Sequence, residues 1–321
     1  MCPAKLSGAS GGNNPGSGIS PGVKADLFLL ITAVIWGFAF VAQRMGMVHM
    51  GPFTFNALRF SMGALALLPL LTWRRQRERS LPRGSFQKLI WAGLLTGLSL
   101  FGGASLQQIG LVGTSASKAG FITGLYVILV PLMGLFWRKR THPAHWIGAA
   151  LAVPGLYLLS VQADFTISSY DLVVLGGAFL WAVHVHLIAR YAGQVGVLRL
   201  AVMQSAVCGV LSGFAALYFE TISFTGIVDG IWPILYGAFL SVGVAYTLQV
   251  VAQRTADPTH AVIILSLESV FAVLGGWIFL RENLSSRALV GCGLMLGGMM
   301  ISQIFGKQNG EKVSETRNGL A

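Results

Sequence analysis

Glu268 is the one carboxylate that falls well inside a long apolar stretch, Thr259–Leu280, which reads THAVIILSLESVFAVLGGWIFL. As a helix this stretch is about one bilayer thick. A charge at mid-depth costs roughly 2.5–3.5 kcal/mol on insertion scales, so a carboxylate there calls for a partner or a polar cavity. In a cavity it could exchange a proton or hold a cation. The other reading is a hydrogen-bonded tie between helices.

Arg59, in FNALRFSMG, is the second ionisable group at depth. Its planar fork suits a carboxylate or phosphate, and Asn56 lies one turn earlier on the same face. Alternatively it snorkels outward or pairs with Glu268. Trp36 and Trp181 sit too deep for an interfacial belt, which leaves cavity wall or core packing. Tyr126, His184 and Tyr246 add polar atoms at similar depth. The candidate cargo contacts are therefore Trp36, Asn56, Arg59, Tyr126, Trp181, His184 and Tyr246, with Glu268 as the proton-coupling candidate. Gln43, Gln107, Gln108, Gln204 and Gln249 read as interhelical hydrogen-bonders. Arg44 and Lys118 read as anchors at segment ends, or, with Arg59, as a ring around an outer vestibule. His184 and His186 are two apart and do not face each other on a helix. No third ligand joins them, so neither a metal nor a cofactor is expected. Ser115-Ala-Ser-Lys118 matches the SxxK pattern of acyl-serine enzymes, but its partner motifs are missing.

The elements that must position these groups are membrane helices. The chain of 321 residues is 54% hydrophobic and 10% charged, with a mean hydropathy of +0.70. Soluble domains carry about 25% charged residues, so this chain cannot cover a soluble surface. Ten apolar segments follow one another at about 27–45, 53–73, 88–108, 117–137, 143–162, 172–191, 197–219, 230–251, 259–280 and 286–305. The net charge of +11 is not read as a nucleic-acid surface, because the basic residues sit in short loops. Arg74, Arg75, Arg77, Arg79, Arg83 and Lys88 mark one loop, Arg138, Lys139 and Arg140 a second, and Arg190 and Arg199 a third. All three fall on one side if ten helices alternate, and the positive-inside rule makes that side cytoplasmic, together with both termini. The opposite loops carry Asp164 with Asp171, and Glu220 with Asp229; Arg281 and Arg287 are the exceptions. Three cysteines, Cys2, Cys208 and Cys292, form no disulfide or zinc spacing.

The chain also repeats itself. Asp26–Trp36 aligns with Asp171–Trp181 at an offset of 145, with five of eleven positions identical. Leu106-Gln107 aligns with Leu248-Gln249, and Ala119, Ile122, Leu125 and Gly134 with Ala261, Ile264, Leu267 and Gly276, at an offset of 142. Tyr126 then stands where the second copy has Glu268. Five helices is an odd number, so the second copy enters the membrane from the opposite face. Such inverted repeats place cargo near the midplane between the halves. The expected fold is all-α integral membrane, with ten transmembrane helices as two inverted five-helix repeats. The expected division is a disordered tail at 1–24, repeats at 25–162 and 163–306, and a polar tail at 307–321.

Trp36-Gly37, Pro52 with Arg59, Pro131, and Leu267-Glu268-Ser269-Val270-Phe271 ending in Arg281-Glu282 resemble the drug/metabolite transporter superfamily in its ten-helix EamA-type branch. The resemblance covers about residues 26–306. It implies a central cavity lined by helices one to four and six to nine, and the movement of small metabolites, often as export. The reading is a secondary-active exporter of a small metabolite, such as an amino acid, working by alternating access in the inner (plasma) membrane. No GxxxxGK[ST] pattern is present to suggest direct ATP drive. The alternative is a membrane enzyme acting on a lipid-linked substrate, which would want acidic or histidine residues clustered at one face. The partners expected are the small-molecule cargo and the lipid bilayer. Gly93/Gly97, Gly120/Gly124, Gly209/Gly213 and Gly293/Gly297 allow close helix contact, within one chain or, through the tenth segment, in a homodimer.

Overall fold

A computed structural model describes residues 20–75, 85–136, 142–160 and 168–282, and most of 286–305. The tails at 1–19 and 306–321, the basic runs at 76–84 and 137–141, and the loop at 161–167 that carries Asp164 lie outside the described residues, as do Cys2 and Cys292.

The chain is all-α. Helix α1 is Pro21–Gly46, α2 Pro52–Arg75 and α3 Ser85–Gly113. Helix α4 is built in two pieces, Ala116–Gly124 and Tyr126–Phe136, and α5 is Pro143–Ser160. Helices α6 and α7 are Ser169–Val195 and Val197–Phe219. Helix α8 runs Ile231–Gln253 and α9 Pro258–Leu280, and part of α10 is seen at Leu289–Gly298. Eight of these are long and apolar enough to cross a membrane; α5 and α10 complete the ten.

Local chemistry explains several boundaries. Helix α1 begins earlier than expected, so residues 21–24 are helical rather than tail. Ser20 accepts from the Val23 N–H and proline opens the helix, which suits a first turn with no intrahelical acceptor to offer. Ser168 and Asp171 form a reciprocal capping box at the start of α6. The α6–α7 corner turns on Gly196 at φ 88, a left-handed conformation that glycine adopts without penalty. The Glu220 carboxylate accepts from Phe53 N, Thr54 N and Thr54 Oγ1 at 2.7–2.8 Å, closing the exposed donors of the first turn of α2.

The packing follows the repeat. Helix α1 packs on α8 and α9, and α6 packs in the same way on α3 and α4. Helix α2 packs on α7, and α4 on α9. Exchanging the two halves maps this set onto itself. Helices α5 and α10 pair at the periphery through glycines. A Cβ on Gly155 would meet Gly291 O at 2.8 Å, and one on Gly298 would meet Gly148 O at 2.6 Å. Of the expected glycine pairs, Gly93 and Gly97 work inside the chain against Met203 and Val207, and Gly120 and Gly209 each meet a neighbouring helix, at Ala272 and Ser61, while Gly213 meets nothing within 4 Å. Gly293 and Gly297 meet nothing within 4 Å.

Two features depart from regular helices. Helices α4 and α9 break at Leu125 and at Ser266-Leu267, which are repeat equivalents. The breaks are tight turns: Leu125 N donates to Ile122 O and Leu267 N to Ile264 O, three residues back instead of four. Thr259–Leu280 is therefore not one continuous helix. In α8 the stretch Tyr236–Tyr246 is a π-helix, whereas the equivalent stretch of α3 is regular.

Candidate functional site

Each break delivers one polar side chain to the centre of the bundle. Tyr126 is the first residue after the break in α4 and Glu268 the first helical residue after the break in α9. Both line a cavity between the halves, with Trp36, Gln43, Arg59, Gln107, Thr123, Trp181, Ser241, Tyr246 and Gln249 among its other walls. The free volume is about 40 Å³, enough for about three waters. An organic cargo would have to widen it.

One wall is aromatic. Tyr246 is its hub, with ring centroids 4.7 Å from Trp36, 6.2 Å from Trp181 and 5.8 Å from Phe60. Trp181 donates its indole N–H to Gln107 Oε1 at 3.0 Å, and Gln107 Nε2 donates to Gln43 Oε1 at 3.0 Å. This chain of bonds ties α6, α3 and α1 together. Trp36 instead donates to the Ser241 carbonyl in the π-helix at 3.4 Å.

Arg59 supplies the cation. It is buried, with 2% of its surface exposed, and its guanidinium lies over the Phe60 and Phe55 rings at 4.7 and 5.4 Å. Asn56 Oδ1 accepts from Arg59 Nε at 3.0 Å, which fixes the plane of the fork. Arg59 and Glu268 form no ion pair with each other. Tyr126 lies beside Glu268, yet neither the Tyr126 hydroxyl nor Glu268 Oε1 completes a hydrogen bond within the protein. Thr123 Oγ1 and Gln249 Oε1 are likewise buried without one. Buried polar atoms are normally satisfied, so four incomplete groups on one cavity wall are what a polar solute would complete.

The expected residues sort into two layers. Trp36, Arg59, Tyr126, Trp181, Tyr246 and Glu268 reach the cavity. Asn56 and His184 were expected there and lie one layer behind. Asn56 holds Arg59; His184 bonds Gln204 at 3.0 Å and presses its ring against Trp181. Three glutamines read only as helix ties, Gln43, Gln107 and Gln249, are cavity walls as well. The Gln107/Gln249 repeat identity was the signal available for two of them.

The vestibule ring does not form. Arg44 Nη1 donates to Leu111 O and Val112 O at 2.7 and 2.9 Å, closing the carbonyl end of α3. Lys118 pairs with Asp171 at 2.6 Å. Both are structural contacts at one end of the bundle.

Comparison with known proteins fits this architecture. The family model for the EamA-like transporter family matches the chain twice, at residues 23–161 and 168–303. The chain belongs to this family. It is 32% identical over 288 residues to an uncharacterized transporter of Archaeoglobus fulgidus, covering 88% of each chain. It is 28% identical over 265 residues to the threonine/homoserine exporter RhtA of Escherichia coli, covering 78% of this chain and 81% of that one. A crystal structure superposes with a TM-score of 0.72 at 20% identity, over 88% of this chain and 97% of the other, so the fold is shared. In this EamA-like protein the family's two-repeat plan converges on one mixed cavity, with a guanidinium, a carboxylate and an aromatic wall.

Proposed function

We propose that this EamA-like protein is a secondary-active exporter of a small zwitterionic metabolite of the amino-acid class, working by alternating access with both termini in the cytoplasm. The observation that carries this is that a guanidinium, Arg59, and a carboxyl group, Glu268, line one cavity without pairing with each other. Arg59 would hold the cargo carboxylate through its fork. Glu268 and the Tyr126 hydroxyl would face the ammonium, and the Trp36, Trp181 and Tyr246 faces would cover the carbon skeleton and favour the cationic end. RhtA, a threonine/homoserine exporter, is the relative whose name supports this cargo class. The broken helices α4 and α9 meet at the cavity, the arrangement by which inverted-repeat transporters build midplane sites.

The test is counterflow in proteoliposomes preloaded with L-threonine or L-homoserine. Labelled amino acid should accumulate transiently against its own gradient, and Arg59→Ala should remove the signal. Wild-type liposomes indistinguishable from empty ones across the neutral amino acids would overturn the cargo assignment.

A further inference from the structure

A lysine–carboxylate ion pair and a histidine–carboxylate bond stand at opposite ends of the bundle on equivalent positions of the repeat. Lys118 Nζ, at the start of α4, meets Asp171 Oδ2, at the start of α6, at 2.6 Å. His260 Nε2, at the start of α9, meets Asp26 Oδ1, at the start of α1, at 2.8 Å. Asp26 and Asp171 are the repeat equivalents at offset 145, and Lys118 and His260 are equivalents at offset 142. Each pair therefore joins the same two helices of the plan, a first-position helix and a fourth-position helix from opposite halves.

Their placement follows from the chain. Arg44, near the end of α1, bonds the last carbonyls of α3. Thr114, just beyond α3, donates to Asp171 Oδ1 at 2.9 Å. The Lys118–Asp171 pair thus lies at the Arg44 end of α1. Asp26 is eighteen residues earlier on the same helix, about 27 Å away at 1.5 Å per residue. The cavity, lined by Trp36 and Gln43 of α1, lies between the two ends.

Each of the four side chains is largely shielded, with 22%, 5%, 10% and 14% exposure for Lys118, Asp171, His260 and Asp26, so solvent screens the pairs less than it would a surface bridge. The surroundings differ. Asp171 also accepts from Thr114 and from Ser168 N at 2.8 Å, and Ser117 Oγ donates to Glu282 Oε2 beside the pair. His260 instead packs against the His145 ring of α5, with centroids 5.7 Å apart. Tight turns at Leu125 and Leu267 separate the pair-bearing starts of α4 and α9 from their second pieces.

We propose that Lys118–Asp171 and Asp26–His260 are reciprocal latches: each closes one end of the cavity, and transport opens them in turn. In the present structure both are made. The proposal rests on the alternating-access reading above but not on the cargo. Given the orientation proposed there, Lys118–Asp171 is the outer latch and Asp26–His260 the inner one.

The experiment measures access, so its outcome is separable from that of counterflow. Thr123→Cys, on the cavity wall, is introduced after the native cysteines are replaced by serine or alanine, and an impermeant maleimide is applied from either face of oriented vesicles. Lys118→Glu sets like charges at the outer pair and should raise outside labelling several-fold while lowering inside labelling. His260→Glu should do the reverse. Lys118→Glu combined with Asp171→Lys should return to the parental pattern, and so should His260→Lys, which sets a cation opposite Asp26. Opposite shifts would uphold the latches even if no amino acid shows counterflow. Shifts of the same sign from both variants, or parental labelling in both with counterflow intact, would overturn them. If Lys118→Glu and His260→Glu both accumulate poorly, Lys118→Gln and His260→Gln are read against the same two outcomes.

Discussion

Trp181 donates to Gln107 Oε1, whereas its repeat equivalent Trp36 bypasses Gln249 and reaches the Ser241 carbonyl. The two halves share a plan but hold it in different states, and the π-helix at Tyr236–Tyr246 is where the difference is accommodated. Gln107→Leu should therefore cost more stability than Gln249→Leu. The first strips Gln43 Oε1 and Trp181 Nε1 of their buried partner, at about 1–3 kcal/mol; Gln249 Oε1 makes no hydrogen bond to lose. Thermal unfolding of the two variants in detergent measures this, and equal loss would contradict it.

Arg59→Ala should abolish transport of a carboxylate-bearing cargo, while Arg44→Ala should mainly lower stability. Arg59 lines the cavity, and truncating one partner of a desolvated charged contact costs about 2–5 kcal/mol of binding. Arg44 bonds two backbone carbonyls, each worth about 1 kcal/mol. Uptake rates normalised to folded protein separate the two. Normal uptake by Arg59→Ala would remove it from the site.

Glu268→Gln tests proton coupling. The groups facing Glu268 from neighbouring helices are Tyr126 of α4 and Tyr246 of α8, and neither can take the role of a proton carrier near neutral pH. Glutamine keeps the shape and hydrogen bonding but binds no proton. Gradient-driven flux should fall to background while equal exchange of cargo persists. A wild type whose flux ignores an imposed pH gradient would reduce Glu268 to a binding group or a helix tie.

Gly37→Val should reduce folded yield and cargo exchange together. A Cβ at position 37 would approach Glu268 O at 2.7 Å and Phe271 C at 2.9 Å, so α1 and α9 must part at the cavity. Overpacking of this kind costs about 1–3 kcal/mol. Full exchange at normal expression would show that α9 can shift without moving Glu268.

Reporters fused after residue 79 and after residue 166 should report the inner and the outer side, respectively. Both on one side would contradict the orientation on which the naming of the latches depends.

The sequence by itself determined the membrane class, the ten segments and the two-fold plan. Apolar runs of bilayer length have few ways to satisfy their backbone in lipid, and the Asp26/Asp171, Trp36/Trp181 and Gln107/Gln249 identities report the repeat directly. It also pointed to Glu268 and Arg59, because a charge at mid-depth is costly enough to need a reason. What the tertiary structure decided was direction and partnership. Asn56 and His184 have the same residue types and depth as cavity groups, but helix rotation puts them behind Arg59 and Trp181. Lys118 and Arg44 look alike in the chain, yet one meets a carboxylate 53 residues later and the other the end of α3. The turn at Leu267 carries no proline or glycine, and the one at Leu125 has only Gly124. They arise where α4 and α9 pack on each other and on α1 and α6, a contact between distant segments that no local pattern encodes.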